Sequence, residues 1–289
     1  MERKSLQSFD GTRIVYEVGG TGDRWLVAAN GYGGSFWAWR ELFEHLEDRF
    51  RLLTWDYRGF HNSGSPADRS HLRIEDNCRD LDCLMQAEGI DSMALAGWSV
   101  GVQVALEQYR RRPQAVSALL LINGAHGRVL HRSGDGRLTG LVMPAIAGPW
   151  ARAMRAVGPA VLPRLQALAR SPLPIKFFYA VGLVSRESPA FREALHAVLG
   201  LDWATYLEMG KLADEHDTED LLPRVQVPTL VTAGDRDIIT RPAVARHIAS
   251  RIPGAEYFEI PGGTHYTVLE FPRLMANRIS SFLGKAETD

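Results

Sequence analysis

The strongest constraint in this chain is a rhythm. WLVAA (25–29), RLLTWD (51–56), SMALAGW (92–98) and SALLLING (117–124) are short, nearly continuous apolar runs. Each reads as a strand buried on both faces. Between them lie stretches with apolar residues at helical spacing. In SFWAWRELFEHLEDRF these are Phe36, Trp39, Leu42, Phe43 and Leu46, with Ser35 where an N-cap would stand. Residues 72–88 carry Ile74, Cys78, Leu81, Leu84 and Met85 on one side, and VGVQVALEQYRRRP is a helix ended by Pro113. Alternation of this kind requires a parallel sheet with helices on both faces. Ahead of it, residues 4–9 and 12–18 alternate around Asp10-Gly11, the signature of a hairpin.

The rhythm breaks after Ala125. From 127 to 224 there is no convincing strand, only short helical stretches divided by Pro144, Pro149, Pro159, Pro163, Pro172, Pro174 and Pro189. Alternation resumes with TLVTAGD (229–235), PAVARHIASRI, AEYFEI (255–260) and a last helix, VLEFPRLMANRISSFL. The expected organisation is an α/β core of residues 1–126 and 225–289 with a helical cap, 127–224, inserted into it. The insert is close to the size of a small domain, roughly 100 residues. Placed where the strands end, it covers the ligand crevice of such a sheet. Gly124, Gly127, Pro223 and Pro228 at its borders permit hinging. The chain has 289 residues, 45% of them hydrophobic, enough for a substantial core.

Composition narrows the partners. Thirty-three basic residues against 34 acidic ones leave a net charge of −1, with no electrostatic case for nucleic acid or an anionic membrane. Cys78 and Cys83 form neither a disulfide framework nor a zinc spacing, and read as two thiols in a reducing compartment. MERKSLQSFDGTRIVYE has no apolar stretch of the secretory kind. LTGLVMPAIAGPWARAM, interrupted by Gly, Pro and Arg, falls short of the roughly 20 apolar residues of a membrane span. A soluble, cytoplasmic globular protein is expected.

LAGWSVGVQV (95–104) then asks for an explanation. Ser99 lies between Gly97 and Gly101, where a strand runs into a helix. A tight turn there strains the serine backbone, exposes its Oγ and leaves no room for side chains two residues to either side. It also aims N–H groups of the helix N-terminus at whatever the serine attacks. A serine hydroxyl needs a base, and the base needs an orienting acid. Among nine histidines, His265 in GGTHYTV follows the last strand, on the sheet edge that carries Ser99. His45, His71, His196, His216 and His247 fall in helical or polar stretches and read as surface residues, while His61 and His126 lie in loops near the same edge. Asp235 and Asp237, both after the strand at 229–234, are each able to reach the loop of His265.

Several separate segments resemble the α/β-hydrolase-fold serine hydrolases. GWSVG resembles the nucleophile elbow, DYRGFHNSG the D-x-R-G-x-G-x-S loop, and NGYGGSFWAW the H-G-x-G oxyanion segment. VPTLVTAGDRD resembles the strand ending in G-x-x-D, and GGTH the loop of the catalytic histidine. The resemblance implies a doubly wound, mostly parallel sheet with an inserted helical cap. It makes Asp237, the last residue of G-x-x-D, the acid. It implies backbone N–H groups of Tyr32 and Val100 as the oxyanion donors, and Trp98, beside the nucleophile, as part of the substrate pocket. Two positions depart from the pattern: Asn30 stands where the family usually has His, and His61 where it usually has Gly.

A serine nucleophile excludes the branches that use Asp, the haloalkane dehalogenases and epoxide hydrolases. Ser99, His265 and Asp237 together mean acyl transfer with no metal or organic cofactor: an ester, thioester or lactone of an apolar small molecule cleaved through an acyl-enzyme. Acyl transfer to another acceptor and carbon–carbon bond hydrolysis use the same triad, and a ligand-binding member without turnover is a third possibility. Met143, Trp150, Met154, Phe177, Phe178, Tyr179, Trp203 and Tyr206 in the insert either line an apolar pocket or pack the insert onto the core.

Overall fold

Each apolar run becomes a strand of one sheet. The computed structural model describes residues 1–128, 171, 173–186 and 188–285. The strands are β1 (Glu2–Gln7), β2 (Arg13–Gly19), β3 (Arg24–Ala29), β4 (Phe50–Trp55), β5 (Met93–Trp98), β6 (Val116–Ile122), β7 (Thr229–Gly234) and β8 (Glu256–Ile260). Their order is β1-β2-β4-β3-β5-β6-β7-β8. β1 and β2 form the expected hairpin, β2 meets β4 antiparallel, and every later pairing is parallel. The hairpin turns at Gly11, whose φ is +81°.

The period of two divides the strands between two cores. Leu26, Ala28, Leu52, Ala96 and Leu120 face α1 (Arg40–Glu44) and the C-terminal helix. Val27, Ala29, Leu53, Leu95 and Leu121 face α2 (Ile74–Glu88), α3 (Gly101–Arg111) and a later helix, Pro242–Arg251. The sheet is doubly wound, as expected. Because β4 lies on one side of β3 and β5 on the other, the connections after β3 and β5 part at their carboxyl ends. That topological switch point is where a crevice opens in such sheets.

Between β6 and β7 the described residues form α4 (Leu173–Ala180), α5 (Pro189–Leu199) and α6 (Trp203–Glu215). No strand occurs among them, apart from an isolated bridge between Gly127 and Asp217. Met143, Trp150 and Met154 lie outside the described residues. After β7 come α7 (Pro242–Arg251), α8 (Thr267–Glu270) and α9 (Pro272–Lys285). No described helix is long and apolar enough to cross a membrane.

Two local expectations need correction. Residues 35–50 do not form one helix: a 3-10 turn, Phe36–Ala38, precedes the short α1. Ser35 caps neither of them; its hydroxyl donates to buried Asp56 Oδ1 at 2.5 Å. Trp39, the joint between the two pieces, is held by Asn30 through its indole N–H at 2.7 Å. The last helix is likewise divided, because Pro272 has no N–H to continue α8 and disfavours helical backbone at Phe271.

Candidate active site

Ser99 follows β5 directly and takes φ +57°, the left-handed region that a non-glycine residue rarely adopts. Its N–H donates to Ile122 O on β6 at 2.9 Å. The flanking glycines are steric requirements. A Cβ at position 97 would stand 2.1 Å from Gly101 O, and one at position 101 would stand 2.3 Å from Ala29 O. Gly124, after β6, is a third: its Cβ would come 2.3 Å from Ser99 O. β3, β5, α3 and the loop after β6 can therefore meet only as bare backbone.

His265 Nε2 lies 2.9 Å from Ser99 Oγ, and His265 Nδ1 lies 2.9 Å from Asp237 Oδ2. The serine hydroxyl donates to Nε2, and the other ring nitrogen donates to the carboxylate. Asp237 and His265 are buried, whereas Asp235 is exposed and accepts the N–H of Gly262 at 2.8 Å. Burial pushes the Asp237 carboxyl up, but hydrogen bonds from His265, Asn123 and the Thr240 backbone outweigh it and leave its pKa below the ordinary carboxylate value of 3.8. Asp237 Oδ1 accepts from the N–H groups of Ile239 and Thr240, both at 2.8 Å. An ionised carboxylate orienting the His265 ring follows.

Asn123 was not a sequence candidate. Fully buried just after β6, with φ +45°, it donates from Nδ2 to Asp237 Oδ2 at 2.9 Å and to Thr264 O at 3.0 Å. Its Oδ1 accepts from the Thr267 hydroxyl. Thr240 Oγ1 lies 2.7 Å from Asn123 O and 2.9 Å from Asp237 Oδ2. Buried Glu270 accepts both the N–H and the hydroxyl of Thr264 at 2.8 Å, fixing the loop ahead of His265. The readable signal was a polar residue closing an apolar strand next to glycine, LLLING.

The segment after β3 turns at residues 31–34, with Gly34 N donating to Gly31 O at 2.9 Å and Gly33 at φ +72°. Tyr32 occupies the second position of this turn. Its ring packs on Tyr206 of α6, centroids 4.0 Å apart, and on Phe60. Burial pushes the phenols of Tyr32 and Tyr206 up, so both are neutral hydrogen-bonding groups. Val100 is the N-cap of α3. Asn30 donates to Trp55 O at 2.6 Å and accepts from Trp39, so the departure from His is absorbed by a buried amide bonded through both its nitrogen and its oxygen. His61, at φ +48°, holds the left-handed backbone where the family's glycine would stand, and its Nε2 contacts Gly33 O at 2.9 Å.

Trp98 is buried, and its indole N–H donates to His265 O at 2.9 Å. Its ring covers Gly31, where a Cβ would come within 2.9 Å. It therefore spans the serine, the histidine loop and the turn of Tyr32. From α6, Tyr206 reaches this neighbourhood with Trp203 against it, centroids 5.2 Å apart, whereas Phe177 and Tyr179 are exposed. His216 departs from its surface reading: its ring is covered and pairs with Glu107 at 3.2 Å. Among the described residues one group has the donors for a metal ion, His126, Glu219 and His247, and it shares no residue with Ser99, His265 and Asp237.

The sheet order agrees with the comparison to known proteins. The family model for the alpha/beta hydrolase fold matches residues 24–157. The chain has the α/β-hydrolase fold. It is 24% identical over 279 residues to the proposed carbamate hydrolase RutD of Azorhizobium caulinodans, covering 95% of this chain and 96% of that protein. An esterase of Exiguobacterium antarcticum superposes with TM-score 0.78 at 19% identity, over 97% of this chain and 99% of its own. The enol-lactonase of Burkholderia xenovorans LB400 superposes with TM-score 0.72 at 21% identity, over 97% and 100%. At these identities the structural likenesses carry the fold of this chain, and its chemistry rests on the site.

Proposed function

We propose that this α/β-hydrolase cleaves a carboxylic ester, thioester or lactone of an apolar small molecule through Ser99, His265 and Asp237. The observation that carries the reading is the unbroken relay of two 2.9 Å hydrogen bonds from Ser99 Oγ through His265 to a buried, low-pKa carboxylate. Ser99 Oγ attacks the carbonyl carbon as His265 Nε2 takes its proton. The oxyanion is met by the N–H groups of Val100 and Tyr32, worth about 3–4 kcal/mol per donor in acyl transfer. His265 returns the proton to the leaving alcohol, and water, deprotonated by the same nitrogen, releases the acyl group. Trp98 and Tyr206 bound the apolar side of the substrate, and α4–α6 belong to a cap over the crevice. A carbamate presents the same electrophilic carbonyl, and the likeness to RutD makes it the second class to try.

The test is hydrolysis of p-nitrophenyl esters of graded chain length, with a phenyl carbamate alongside, for wild type and Ser99→Ala. Turnover lost in the variant supports the reading, and the chain-length profile sizes the pocket. Wild-type turnover that survives in Ser99→Ala rejects Ser99 as nucleophile. Absent turnover together with a Ser99 unlabelled by a fluorophosphonate rejects the enzyme reading in favour of ligand binding.

A further inference from the structure

His126, Glu219 and His247 meet where the insert leaves and rejoins the sheet domain. His126 comes just after β6, Glu219 just ahead of the 3-10 turn Leu222–Arg224, and His247 from α7. His126 Nε2 lies 2.6 Å from Glu219 Oε2, and His247 Nε2 lies 3.0 Å from Glu219 Oε1 and 3.1 Å from Oε2. The two rings are 5.5 Å apart, and one donor atom from each residue falls within 4.8 Å of the others. His126 is fully buried, whereas the His247 side chain is 44% exposed, so the group is closed at its floor and open to solvent at its mouth.

We propose that this is a binding site for a divalent ion of the zinc class, coordinated by two imidazoles and one carboxylate, separate from the serine site. A tetrahedral zinc ion with bonds near 2.0–2.1 Å sets its ligand atoms about 3.3–3.4 Å apart. The two imidazole–carboxylate separations lie within about 1 Å of that spacing, so loading needs only a small outward shift of the side chains. Imidazole donors favour zinc, copper or nickel over calcium and magnesium, which take oxygen. A water completes the shell on the exposed side of His247. Arg251 Nε, 3.6 Å from Glu219 Oε1, opposes the ion and would swing away from the carboxylate on loading.

The backbone shows what the ion would do. Thr218 donates to His126 O from its N–H at 2.9 Å and from its hydroxyl at 2.6 Å, and Gly127 bridges Asp217. Both ends of the insert are already laced together at His126, and the ion fastens that lacing to α7. Its effect is on how firmly the insert is rooted, with no step in acyl transfer.

Metal-free full-length protein is titrated with Zn²⁺ against a chromophoric chelator, and its melting temperature is followed with and without Zn²⁺. Wild type is expected to take one ion per chain and to melt higher with zinc. His247→Ala and Glu219→Gln are expected to weaken uptake roughly 100-fold or more and to lose the thermal increment. His265→Ala, which removes a buried imidazole–carboxylate pair outside this group, keeps both. Absent uptake by wild type, or His247→Ala binding like wild type, overturns the proposal and leaves a hydrogen-bonded cluster. Uptake lost in His265→Ala but kept in His247→Ala places the ion at the serine site and overturns it equally.

Discussion

Replacing Asn123 with alanine removes the side chain on which the loops after β6, β7 and β8 converge. Three hydrogen bonds go: to Asp237 Oδ2, to Thr264 O and from the Thr267 hydroxyl. All are buried, so the abandoned groups cannot turn to water. The two neutral bonds are worth about 1 kcal/mol each and the bond to the carboxylate about 1.5–3 kcal/mol. Alanine at φ +45° adds its own left-handed cost, about 1 kcal/mol. The expected loss is thus about 4–6 kcal/mol, a large share of the roughly 5–15 kcal/mol of a typical domain. Urea unfolding at neutral pH measures it. Asp237 keeps His265, two backbone N–H groups and Thr240, so the folded fraction should retain turnover reduced roughly 10–100-fold, in the range of an orienting partner. With one donor fewer, the Asp237 carboxyl also moves up, and the variant's stability should depend less on pH in acid. A destabilisation under about 1 kcal/mol would refute the hydrogen-bond reasoning. An unchanged acid dependence would deny Asn123 its part in holding Asp237 ionised.

Asp237→Asn is expected to lower kcat by about 10⁴-fold through the wrong imidazole tautomer. Asp235→Asn, at an exposed residue, should stay within roughly twofold of wild type; equal effects in ester assays would reverse the assignment of the acid. Arg58→Ala should cost about 3–5 kcal/mol, since it strands the buried carboxylate of Asp80 that Arg58 holds at 2.8 and 2.5 Å. Adding Asp80→Ala should recover part of that loss, and simple additivity in denaturant melts would contradict it. Because the folded pKa of Asp237 lies below 3.8, its stabilising contribution is whole above that value and fades as pH falls through the lower one. Thermal melts from pH 7 to pH 2 should therefore be flatter in acid for Asp237→Asn than for wild type.

The strands were legible because an apolar run bounded by turn residues has few alternatives in a chain of this size, and the elbow because glycines 97 and 101 answer to backbone crowding that is purely local. The helix expected over 35–50 was not, because its spacing is helical while Ser35 and Trp39 are claimed by Asp56 and Asn30 from other loops. Spacing left Asp235 and Asp237 equivalent, both following β7. Their difference is tertiary, one facing solvent and the other enclosed by Asn123, Thr240 and His265. Asn123 acts through three residues at least 114 positions away, which no local window contains. His61 reads in sequence as a loop residue near the edge that carries Ser99, and only the fold shows its ring at the carbonyl of Gly33.

The bond between Ser99 and His265 joins residues 166 positions apart, across β5 and the last strand of the sheet. A nascent chain that has emerged only as far as Ser99 holds a serine with no base beside it. On the proposed reading, reactivity waits until β8 docks. The assembled triad geometry doubles as a report that β8 has found its place in the sheet.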